Sequence, residues 1–498
     1  MSEKETKEEI PEQAVIRDRY RKLEEIKKLK INPYPYKFEQ KNHASEILEK
    51  YKKLKPAEHT KDKMVVAGRL MTTRKMGRIS FAHLQDESGK MQLLFKEENG
   101  KDIYSLFNLL DTGDFIGAEG VVFTTKTGEI TIEVQKLTLL CKSLYPLPEK
   151  YHGIQDPELK YRKRYLDLIM DPEKKKIFMM RSKIVSAIRE FLDKKGFVEV
   201  ETPILQTIYG GANAKPFTTH HNALDFDLYL KISPELYLKR LIVGGFEKVY
   251  DMGKNFRNEG MDKTHNPEFT MLEFYQAYAD YNDMMDLFEE LYIFVAKKIL
   301  GKTQLEYQGR KIDLKAPWKR MPMIDAIREH AKIDVTKYSD KEIKDFVNTY
   351  SLQIEGDLTR GAIISALFEE LVEDKLIQPI FIIDHPKETS PLTKVHRKNP
   401  ALIERFEPFI NGWEVGNAYS ELNDPIDQKE RLREQAEQLR AGFEEAQPMD
   451  EDFIRAIEYG MPPTGGVGVG IDRMVMLFTN SATIRDVILF PTMKPEKN

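Results

Sequence analysis

The chain has 498 residues, of which 41% are hydrophobic and 32% are charged, and its formal net charge is −4. This length is typical of two or three domains, and the apolar fraction is sufficient for a large buried core. The small negative charge excludes a basic coat over the whole surface, although a local basic surface for nucleic acid stays open.

Simple counts exclude further classes of protein. Cys141 is the only cysteine, so neither a disulfide framework nor a cysteine-rich zinc site can form. The first residues, "MSEKETKEEIPEQ", are charged and lack the apolar core of a signal peptide. No apolar run approaches the roughly 18 residues that a membrane helix needs. We therefore expect a cytoplasmic protein with no membrane partner.

The N-terminal part of the chain divides into a helical segment and a β-rich segment. Residues 1–60 mix both charge signs, and "AVIRDRYRKLEEIKKLK" has helical spacing, which predicts a solvated helix. Residues 63–145 contain five short β-rich runs between turns, which favours a small closed barrel of the OB-fold type. We place this barrel domain at 61–148 and a linker, which includes the basic stretch "LKYRKRYLDLI", at 149–172.

The remaining residues, 173–498, mix helices with strands and form a second, larger domain. Residues 173–195 have a helical pattern that ends at Gly196, and "FVEVETPIL" then alternates as a strand. Residues 246–278 resemble a β-hairpin, and a helical insert is predicted at about 324–376. Further on, "TGGVGVGIDRMVMLF" indicates a glycine-rich strand that turns into a helix.

The hairpin carries an unusual set of charges among its apolar residues, in "FRNEGMDKTHNPEFTMLEF". Alternate side chains of a strand share a face, so two strands paired across loop 260–267 would display five side chains together: Arg257, Glu259, Phe269, Glu273 and Tyr275. At roughly 3.3 Å per residue, Phe269 and Glu273 would lie about 13 Å apart, which suits a nucleotide joined to a small extended acid. The alternative is a salt-bridged strand on the surface, although burying these charges without a ligand would be costly.

The glycine-rich segment "PPTGGVGVGIDRMVML" fits neither the P-loop spacing nor the Rossmann spacing. Alternating glycines in a strand instead leave a flat backbone against which a planar ring can lie. Arg473 follows near the start of a helix, where its guanidinium can reach a phosphate or stack on a base. The alternative is that these glycines only permit tight packing of the sheet.

A second acidic segment, "NGWEVGNAYSELND", brings Glu414, Asn417, Tyr419 and Glu421 close together. The two carboxylates are seven residues apart with little other charge between them, which suits Mg²⁺ that bridges phosphate oxygens. Acidic turns are common, so this segment becomes informative only beside the other two.

Together these segments resemble the class II aminoacyl-tRNA synthetases and, within them, the lysine-specific subgroup. "GFVEVETPIL" is similar to motif 1, with Pro203 at the dimer-forming strand; the hairpin is similar to motif 2, and "GVGVGIDRMVML" to motif 3. The subgroup is carried by "RYLDL", "GGANAKPFTTHHNALDFDLYLKISPELYLKRL" and "GNAYSELNDPID". The resemblance covers about residues 15–495, and the class I signatures H-I-G-H and K-M-S-K-S do not occur.

The resemblance implies an α+β protein, with a five-stranded OB-fold barrel followed by a catalytic domain on an antiparallel sheet flanked by helices. It also implies a homodimer that uses ATP and Mg²⁺ to activate L-lysine and then transfers lysine to tRNA(Lys). Arg257 would hold the α-phosphate and the lysine carboxylate, Phe269 and Arg473 would sandwich adenine, and both arginines would be catalytic. The other residues that the resemblance assigns are Glu259, His265 and Glu414 for ATP, Glu414 and Glu421 for magnesium, and, for lysine, the Gly211 backbone with Glu235, Glu273, Tyr275, Asn417, Tyr419 and Glu421.

The charge of the predicted pocket agrees with this assignment. Lysine carries two ammonium groups, and Glu235, Glu273 and Glu421 supply the acidity that its pocket needs. A pocket for aspartate or asparagine would need a cationic or amide donor there instead. A paralogue that lysylates a protein would lack the barrel, and a non-catalytic RNA-binding protein would lose residues such as Arg257 or Arg473.

In the barrel, the resemblance assigns Phe81 and Gln92 to the tRNA anticodon. OB barrels bind single strands by stacking bases on aromatic rings beside a basic groove, and Arg74, Lys75 and Arg78 are candidates for phosphate contacts. The alternative for Phe81 is an ordinary ring of the barrel core.

Overall fold

A computed structural model describes residues 11–148, 156–354, 357–443 and 445–496. The chain divides into two compact units, Met1–Gln155 and Asp156–Asn498. Residues 1–10 of the predicted N-terminal helix and 149–155 of the predicted linker lie outside the described ranges. The limits proposed above for the individual domains stay a prediction.

The first unit contains a closed barrel. Its described residues form the helices and strands α1 (Pro11–Lys28), α2 (Ala44–Tyr51), β1 (His59–Met76), β2 (Ile79–Gln85), β3 (Lys90–Lys96), α3 (Lys101–Asn108), β4 (Phe115–Thr124) and β5 (Ile130–Cys141). The five strands close in the order β1-β2-β3-β5-β4, in which β3 and β5 run parallel. The predicted five-stranded OB-fold barrel is therefore confirmed.

Alternation along the strands explains why this sheet closes around a core. On β2, the side chains of Ser80, Ala82 and Leu84 are buried, whereas those of Phe81 and His83 are only half-buried. Because successive side chains of a strand point to opposite faces, one face of β2 fills the barrel and the other lies outside it. Phe81 is therefore on the outer face and is not a ring of the barrel core.

The N-terminal segment differs from the single solvated helix that its charge pattern predicted. Helices α1 and α2 are separated by an extended stretch that contains Pro33 and Pro35, and proline cannot donate the backbone hydrogen bond that a continuing helix needs. Ile26 of α1 and Ile47 and Tyr51 of α2 are buried in the apolar core of the barrel unit. Each helix therefore has one face in this core and one in solvent.

The second unit is larger. Its described helices are α4 (Pro157–Arg162), α5 (Arg164–Met170), α6 (Pro172–Lys194), α7 (Glu235–Val243), α8 (Tyr281–Leu300), α9 (Met323–Ala331), α10 (Asp340–Thr349), α11 (Arg360–Leu371), α12 (Pro425–Arg440), α13 (Glu451–Glu458), α14 (Ile471–Thr479) and α15 (Ile484–Val487). Its described strands are β6 (Val198–Glu199), β7 (Leu205–Gln206), β8 (Thr218–His221), β9 (Phe226–Leu230), β10 (Lys248–Phe256), β11 (Glu268–Ala277), β12 (Gln304–Tyr307), β13 (Arg310–Asp313), β14 (Lys319–Pro322), β15 (Ile380–Pro386), β16 (Leu402–Ile410), β17 (Trp413–Glu414), β18 (Gly416–Ser420) and β19 (Thr464–Gly470).

One large sheet organises this unit. In the described residues it has nine strands: eight follow the order β14-β15-β16-β18-β19-β11-β10-β6, and β17 pairs with β16. The central pairs are antiparallel, and the pairs β14–β15 and β10–β6 at the two ends are parallel. An apolar cluster that contains Phe274 of β11, Phe288 of α8 and Met474 of α14 joins the sheet to its helices. The predicted α+β fold with a mainly antiparallel sheet is confirmed.

The segment before the sheet matches the prediction in its helix but not in its strand. Helix α6 begins after Asp171, whose side chain accepts a hydrogen bond from Glu173 N, and the chain leaves it at Gly196 with a φ of 81°. The predicted strand "FVEVETPIL" forms only the two-residue strands β6 and β7. Pro203 has no N–H to donate, and the N–H and hydroxyl of Thr202 donate to the Asp251 carboxylate instead of a strand neighbour.

The second half of the predicted linker is helical. Residues 157–170 form α4 and α5, and the buried guanidinium of Arg164 donates hydrogen bonds to Asp167 and to the carbonyls of Arg485 and Leu489. These bonds hold α4 and α5 against the last residues of the second unit, to which they belong. The predicted helical insert contains α9, α10 and α11, which share an apolar cluster with β15. None of the helices in the described ranges has the length and apolar character of a membrane span.

Candidate active site

The motif 2 hairpin consists of β10 and β11, which pair from Lys248 with Gln276 to Phe256 with Glu268. The expected strand position of Arg257 and Glu259 is wrong, because β10 ends at Phe256. Arg257 N still donates to Pro267 O at 2.9 Å, but Pro267 has no N–H to return the bond, and Asn258 N donates to Lys215 O instead. Both side chains therefore extend from the connection between the strands.

Two cavities lie against this hairpin. The first has a volume of about 260 Å³, and most of the residues predicted to bind lysine line it: Gly211, Glu235, Glu273, Tyr275, Asn417 and Tyr419. The second has a volume of about 230 Å³, and every residue predicted to bind ATP lines it: Arg257, Glu259, His265, Phe269, Glu414 and Arg473. The cavities share Arg257, Met271, Glu414 and Asn417 in their walls. The structure therefore brings the two predicted sets together as adjoining compartments.

Arg257 has the geometry of a residue that serves both cavities. Its guanidinium lies over the ring of Phe269, with its central carbon 5.1 Å from the ring centroid. Its Nε is buried, and no residue in the described ranges accepts a hydrogen bond from it. A buried donor without an acceptor is costly, so this nitrogen is available to an anionic group of a ligand.

His265 and Arg473 form a connected wall in the second cavity. Asp262 accepts hydrogen bonds from the backbone N–H and the Nδ1 of His265, both at 2.7 Å. Although partial burial acts in the opposite direction, these bonds lower the pKa of Asp262 to about 2. An ionised Asp262 fixes the proton of His265 on Nδ1, so Nε2 can accept from Arg473 Nη2 at 3.0 Å. Arg473 lies in the first turn of α14, as its position after the glycine strand predicted.

Glu273 lies on the floor of the first cavity with its carboxylate fully engaged. Its Oε1 accepts from the hydroxyl of Ser233 at 2.8 Å, and its Oε2 accepts from that of Tyr275 at 3.2 Å. Burial and the neighbouring Glu235 carboxylate raise the pKa of Glu273 to about 8. An ammonium group placed here would favour the ionised form of Glu273.

The glycines of β19 allow side chains to approach the strand closely. Tyr419 and Tyr275 flank Gly466 in the register of the sheet. A methyl group at Gly466 would lie 2.0 Å from Glu421 Oε1 and 2.4 Å from Cε1 of Tyr275. The absence of a side chain at Gly466 therefore makes room for two residues of the predicted lysine pocket.

The carboxylates of Glu235, Glu273 and Glu421 lie close together, but two of them are already ion-paired with a residue of the protein. Glu235 and Glu421 both form ion pairs with Lys239 of α7, a residue that the sequence analysis missed. Glu421 does not line the cavity; it is buried behind Gly466, and its Oε1 has no hydrogen-bond partner in the described ranges. Lys239 follows Glu235 by four residues on one helix, and this spacing was the signal available in the sequence.

The predicted magnesium pair, Glu414 with Glu421, is not the pair that the structure assembles. Glu421 is held by Lys239, whereas Glu407 is the carboxylate that acts on Glu414: burial and Glu407 raise the pKa of Glu414. The strand register pairs Glu414 of β17 with Phe409, so Glu407, two residues earlier on β16, shares its face. Glu407 precedes Glu414 by seven residues, which is the same spacing as that of the predicted pair Glu414 and Glu421. No group of three or more metal-binding side chains occurs among the residues that the structure describes.

On the barrel, the predicted anticodon residues lie on one outer face. Gln92 of β3 donates through Nε2 to Glu129 at 2.6 Å and accepts through Oε1 from the Thr131 hydroxyl at 2.7 Å. These two bonds fix the orientation of the amide. In the register of the barrel, Phe81 pairs with Arg74. Arg74, Lys75 and Arg78 are exposed, but Lys75 pairs with the buried Ser80, so its side chain lies on the other face of the strand, where it donates to Asn108 O at 3.1 Å.

Two family models match the chain, one in each of its two units. The family described as tRNA synthetases class II (D, K and N) matches residues 156–494, and the OB-fold nucleic acid binding domain matches residues 64–140. The chain belongs to the class II tRNA synthetases of this group.

Similarity to individual proteins is more specific. Over 489 residues the chain is 55% identical to the lysine–tRNA ligase of Carboxydothermus hydrogenoformans. The alignment covers 97% of this chain and 98% of that protein. Over 487 residues it is 54% identical to the lysine–tRNA ligase of Pelotomaculum thermopropionicum, covering 97% and 95% of the two chains. The lysine–tRNA ligase of Clostridium novyi is 52% identical over 499 residues, covering 99% and 97%.

Proposed function

We propose that this chain activates L-lysine with ATP to lysyl-adenylate and transfers lysine to the 3′ end of tRNA(Lys). The observation that carries the proposal is the pair of adjoining cavities. One has the buried carboxylates Glu235 and Glu273 in its wall, the other has Phe269 and Arg473, and Arg257 lies in the wall of both. A dication and a nucleotide therefore have separate places on either side of one arginine.

Catalysis of the first step requires positioning and charge rather than a protein nucleophile. The lysine carboxylate attacks the α-phosphorus of ATP in line, pyrophosphate leaves, and Arg257 stabilises the charge on the carboxylate and the phosphoryl oxygens. In the second step the terminal ribose hydroxyl of tRNA attacks the lysyl carbonyl, and AMP leaves. The unpaired Arg257 Nε supports this role, since it is a donor without an acceptor between the two cavities in the described residues.

Selectivity for lysine follows from the charge of the first cavity. Glu235, Glu273 and the hydroxyl of Tyr419 present acceptors and a dipole that suit ammonium groups. Aspartate and asparagine, the other amino acids that define this family, would leave buried carboxylates facing an acid or an amide. Such a mismatch costs several kcal/mol, which corresponds to roughly 100-fold or more in discrimination.

The residues present also fit Mg²⁺. Glu407 and Glu414 offer hard oxygen ligands so close together that their negative charges repel, and a divalent cation would neutralise both. When bound, Mg²⁺ would supply positive charge to the phosphate oxygens of ATP. Glu407 is positioned by Arg405, whose Nη2 donates to Glu407 Oε1 at 2.6 Å. We propose Glu407 in place of Glu421 as the partner of Glu414.

The barrel would bind the anticodon on the face that carries Phe81 and Gln92. Phe81 is half-buried on the outer face, where a base can stack on its ring, and its partner in the register, Arg74, is exposed beside it. The amide of Gln92, oriented by Glu129 and Thr131, presents a fixed hydrogen-bonding edge.

We further propose a homodimer in the cytoplasm, where ATP and tRNA are available. Three apolar side chains in the motif 1 segment are about half exposed: Val198 (47%), Ile204 (47%) and Leu205 (51%). Exposed aliphatic residues on a short segment indicate a surface that another chain covers, and the family resemblance places the dimer contact in this motif.

Pyrophosphate exchange with each of the twenty amino acids tests the proposed function. Lysine should support exchange at least about 100-fold more efficiently than aspartate or asparagine, and Arg257→Ala should abolish it. Charging of total tRNA with labelled lysine then separates an RNA-specific enzyme from one that lysylates protein. Exchange with aspartate in preference to lysine, or near-normal exchange in the Arg257 variant, would overturn the assignment.

A further inference from the structure

Lys239 is a fully buried lysine that is paired with two of the glutamates predicted to bind lysine. Its side chain has no exposed surface, and it projects from α7 one turn after Glu235. Its Nζ lies 2.6 Å from Glu235 Oε1 and forms a second ion pair with Glu421 Oε2. A buried ammonium is costly unless it is paired, so these two carboxylates account for its position.

The groups that contact Lys239 belong to the set of residues predicted to bind lysine. The hydroxyl of Tyr419 donates to Glu235 Oε2 at 2.6 Å, and Lys239 Nζ lies 5.7 Å from the centre of the Tyr419 ring. Glu273 of β11 faces the same acids: burial and the carboxylates of Glu235 and Glu273 raise the pKa of Glu421, and the Tyr275 hydroxyl donates to Glu273 Oε2 at 3.2 Å. Glu421 Oε1, for which the described residues offer no hydrogen-bond partner, lies next to Gly466, which lines the cavity.

We propose that Lys239 is a positioning residue for lysine recognition: its ammonium holds Glu235 and Glu421 in place and offsets the repulsion among the three pocket glutamates. This inference rests on the proposed function. Lys239 does not line the cavity and would not touch the substrate. It acts through the two carboxylates that it joins.

Charge matching explains why such a cation is useful in an acidic pocket. When lysine is bound and all three glutamates are ionised, they and Lys239 together carry two negative charges, which balance the two ammonium groups of the substrate. Without Lys239 the pocket would hold one negative charge more than the substrate can neutralise. Burial of that charge is unfavourable, so a carboxyl group would take up a proton instead.

The sign of the expected pH effect follows from this argument. Removal of Lys239 takes away the cation that opposes the effect of burial on Glu421, whose pKa burial already raises. More of the pocket acid is then protonated near neutral pH, and lysine binding must displace that proton. The affinity for lysine should therefore fall most at low pH and recover as the pH rises.

Lys239→Met tests the proposal in lysine-dependent pyrophosphate exchange between about pH 6.5 and about pH 8.5. The KM for lysine should rise at least about tenfold at the lower pH, because one partner of a buried charge pair is lost. This increase should shrink as the pH rises, relative to the wild type, while the KM for ATP stays within about twofold. Lys239→Gln, which keeps hydrogen-bond donors without the charge, should show the same pH signature.

Lys142→Met is a matched control in the barrel unit. Lys142 is also fully buried, and its Nζ pairs with Asp111 at 2.6 Å and with Asp114 at 2.8 Å. Since exchange needs no tRNA, this variant should leave the KM for lysine and its pH dependence unchanged.

The outcomes separate the inference from the function on which it rests. Absence of lysine-dependent exchange in the wild type refutes the proposed function itself. If the wild type is active and both Lys239 variants show an unchanged or a pH-independent KM for lysine, the positioning role is refuted. If neither variant folds, as measured by thermal unfolding, Lys239 is required for folding rather than for recognition, and the inference is again overturned.

Discussion

Gly466→Ala would place a methyl group where two side chains of the lysine pocket already lie. The new carbon would be 2.0 Å from Glu421 Oε1 and 2.4 Å from Cε1 of Tyr275. Ordinary contacts are about 3.5 Å or longer, so both side chains would have to move by roughly 1 to 1.5 Å. Neither can do so freely, because Glu421 is paired with Lys239 and the Tyr275 hydroxyl donates to Glu273.

The magnitude follows from the cost of overpacking a buried site. Inserting a methyl group into a closely packed region typically costs about 1 to 3 kcal/mol, which corresponds to about 5- to 150-fold in an equilibrium. Because the displaced groups belong to the proposed lysine pocket, we expect a loss of this size in kcat/KM for lysine. The KM for ATP should be almost unchanged, since the second cavity does not include Gly466.

Lysine-dependent pyrophosphate exchange at saturating ATP measures this loss. Gly89→Ala is the control, because a methyl group there meets no atom within 4 Å and Gly89 has an ordinary φ. A folded Gly466→Ala protein with wild-type kcat/KM for lysine would refute the proposed contact between the pocket and β19.

Three further predictions concern the pocket, the barrel and the metal. Because the pKa of Glu273 is raised to about 8, its carboxyl group is mostly protonated at neutral pH in the free protein. The KM for lysine should therefore fall as the pH rises through about 8. Glu273→Gln should flatten this pH profile, and an unchanged slope would contradict the assignment of Glu273 to lysine binding. Phe81→Ala should raise the KM for tRNA by about tenfold or more and leave pyrophosphate exchange intact; equal KM values would show that no base stacks there. Glu407→Gln should increase the Mg²⁺ concentration needed for half-maximal exchange, whereas a larger effect of Glu421→Gln on that concentration would favour Glu421 as the partner of Glu414.

Local patterns were sufficient for the features that depend on one strand or one helix. The alternation of "ISFAHLQ" puts Ser80, Ala82 and Leu84 on the face opposite to Phe81, and the structure then shows that the first set faces the core. The glycine strand and the place of Arg473 in the first turn of α14 follow in the same way from spacing. These features are fixed by the geometry of a single element, so a sequence pattern contains them.

Features that depend on two elements were not available from such patterns. The partner of Glu414 is decided by the register between β16 and β17, which selects Glu407. Lys239 pairs with Glu235 within α7, but its second ion pair joins α7 to Glu421 after β18, a residue far away in the chain. The end of β10 before Arg257 depends on Pro267, the residue that precedes β11, and no pattern within β10 contains that information.

Arg257, Met271, Glu414 and Asn417 form a wall common to both cavities, and this has a consequence for inhibitors. A compound with an amine at one end and a purine at the other would reach both compartments along these four residues. Once either end is bound, the second end is held next to its own compartment at an effective concentration of about millimolar or higher. Two weak fragments joined by a short, uncleavable bridge should therefore bind far more tightly than either fragment alone.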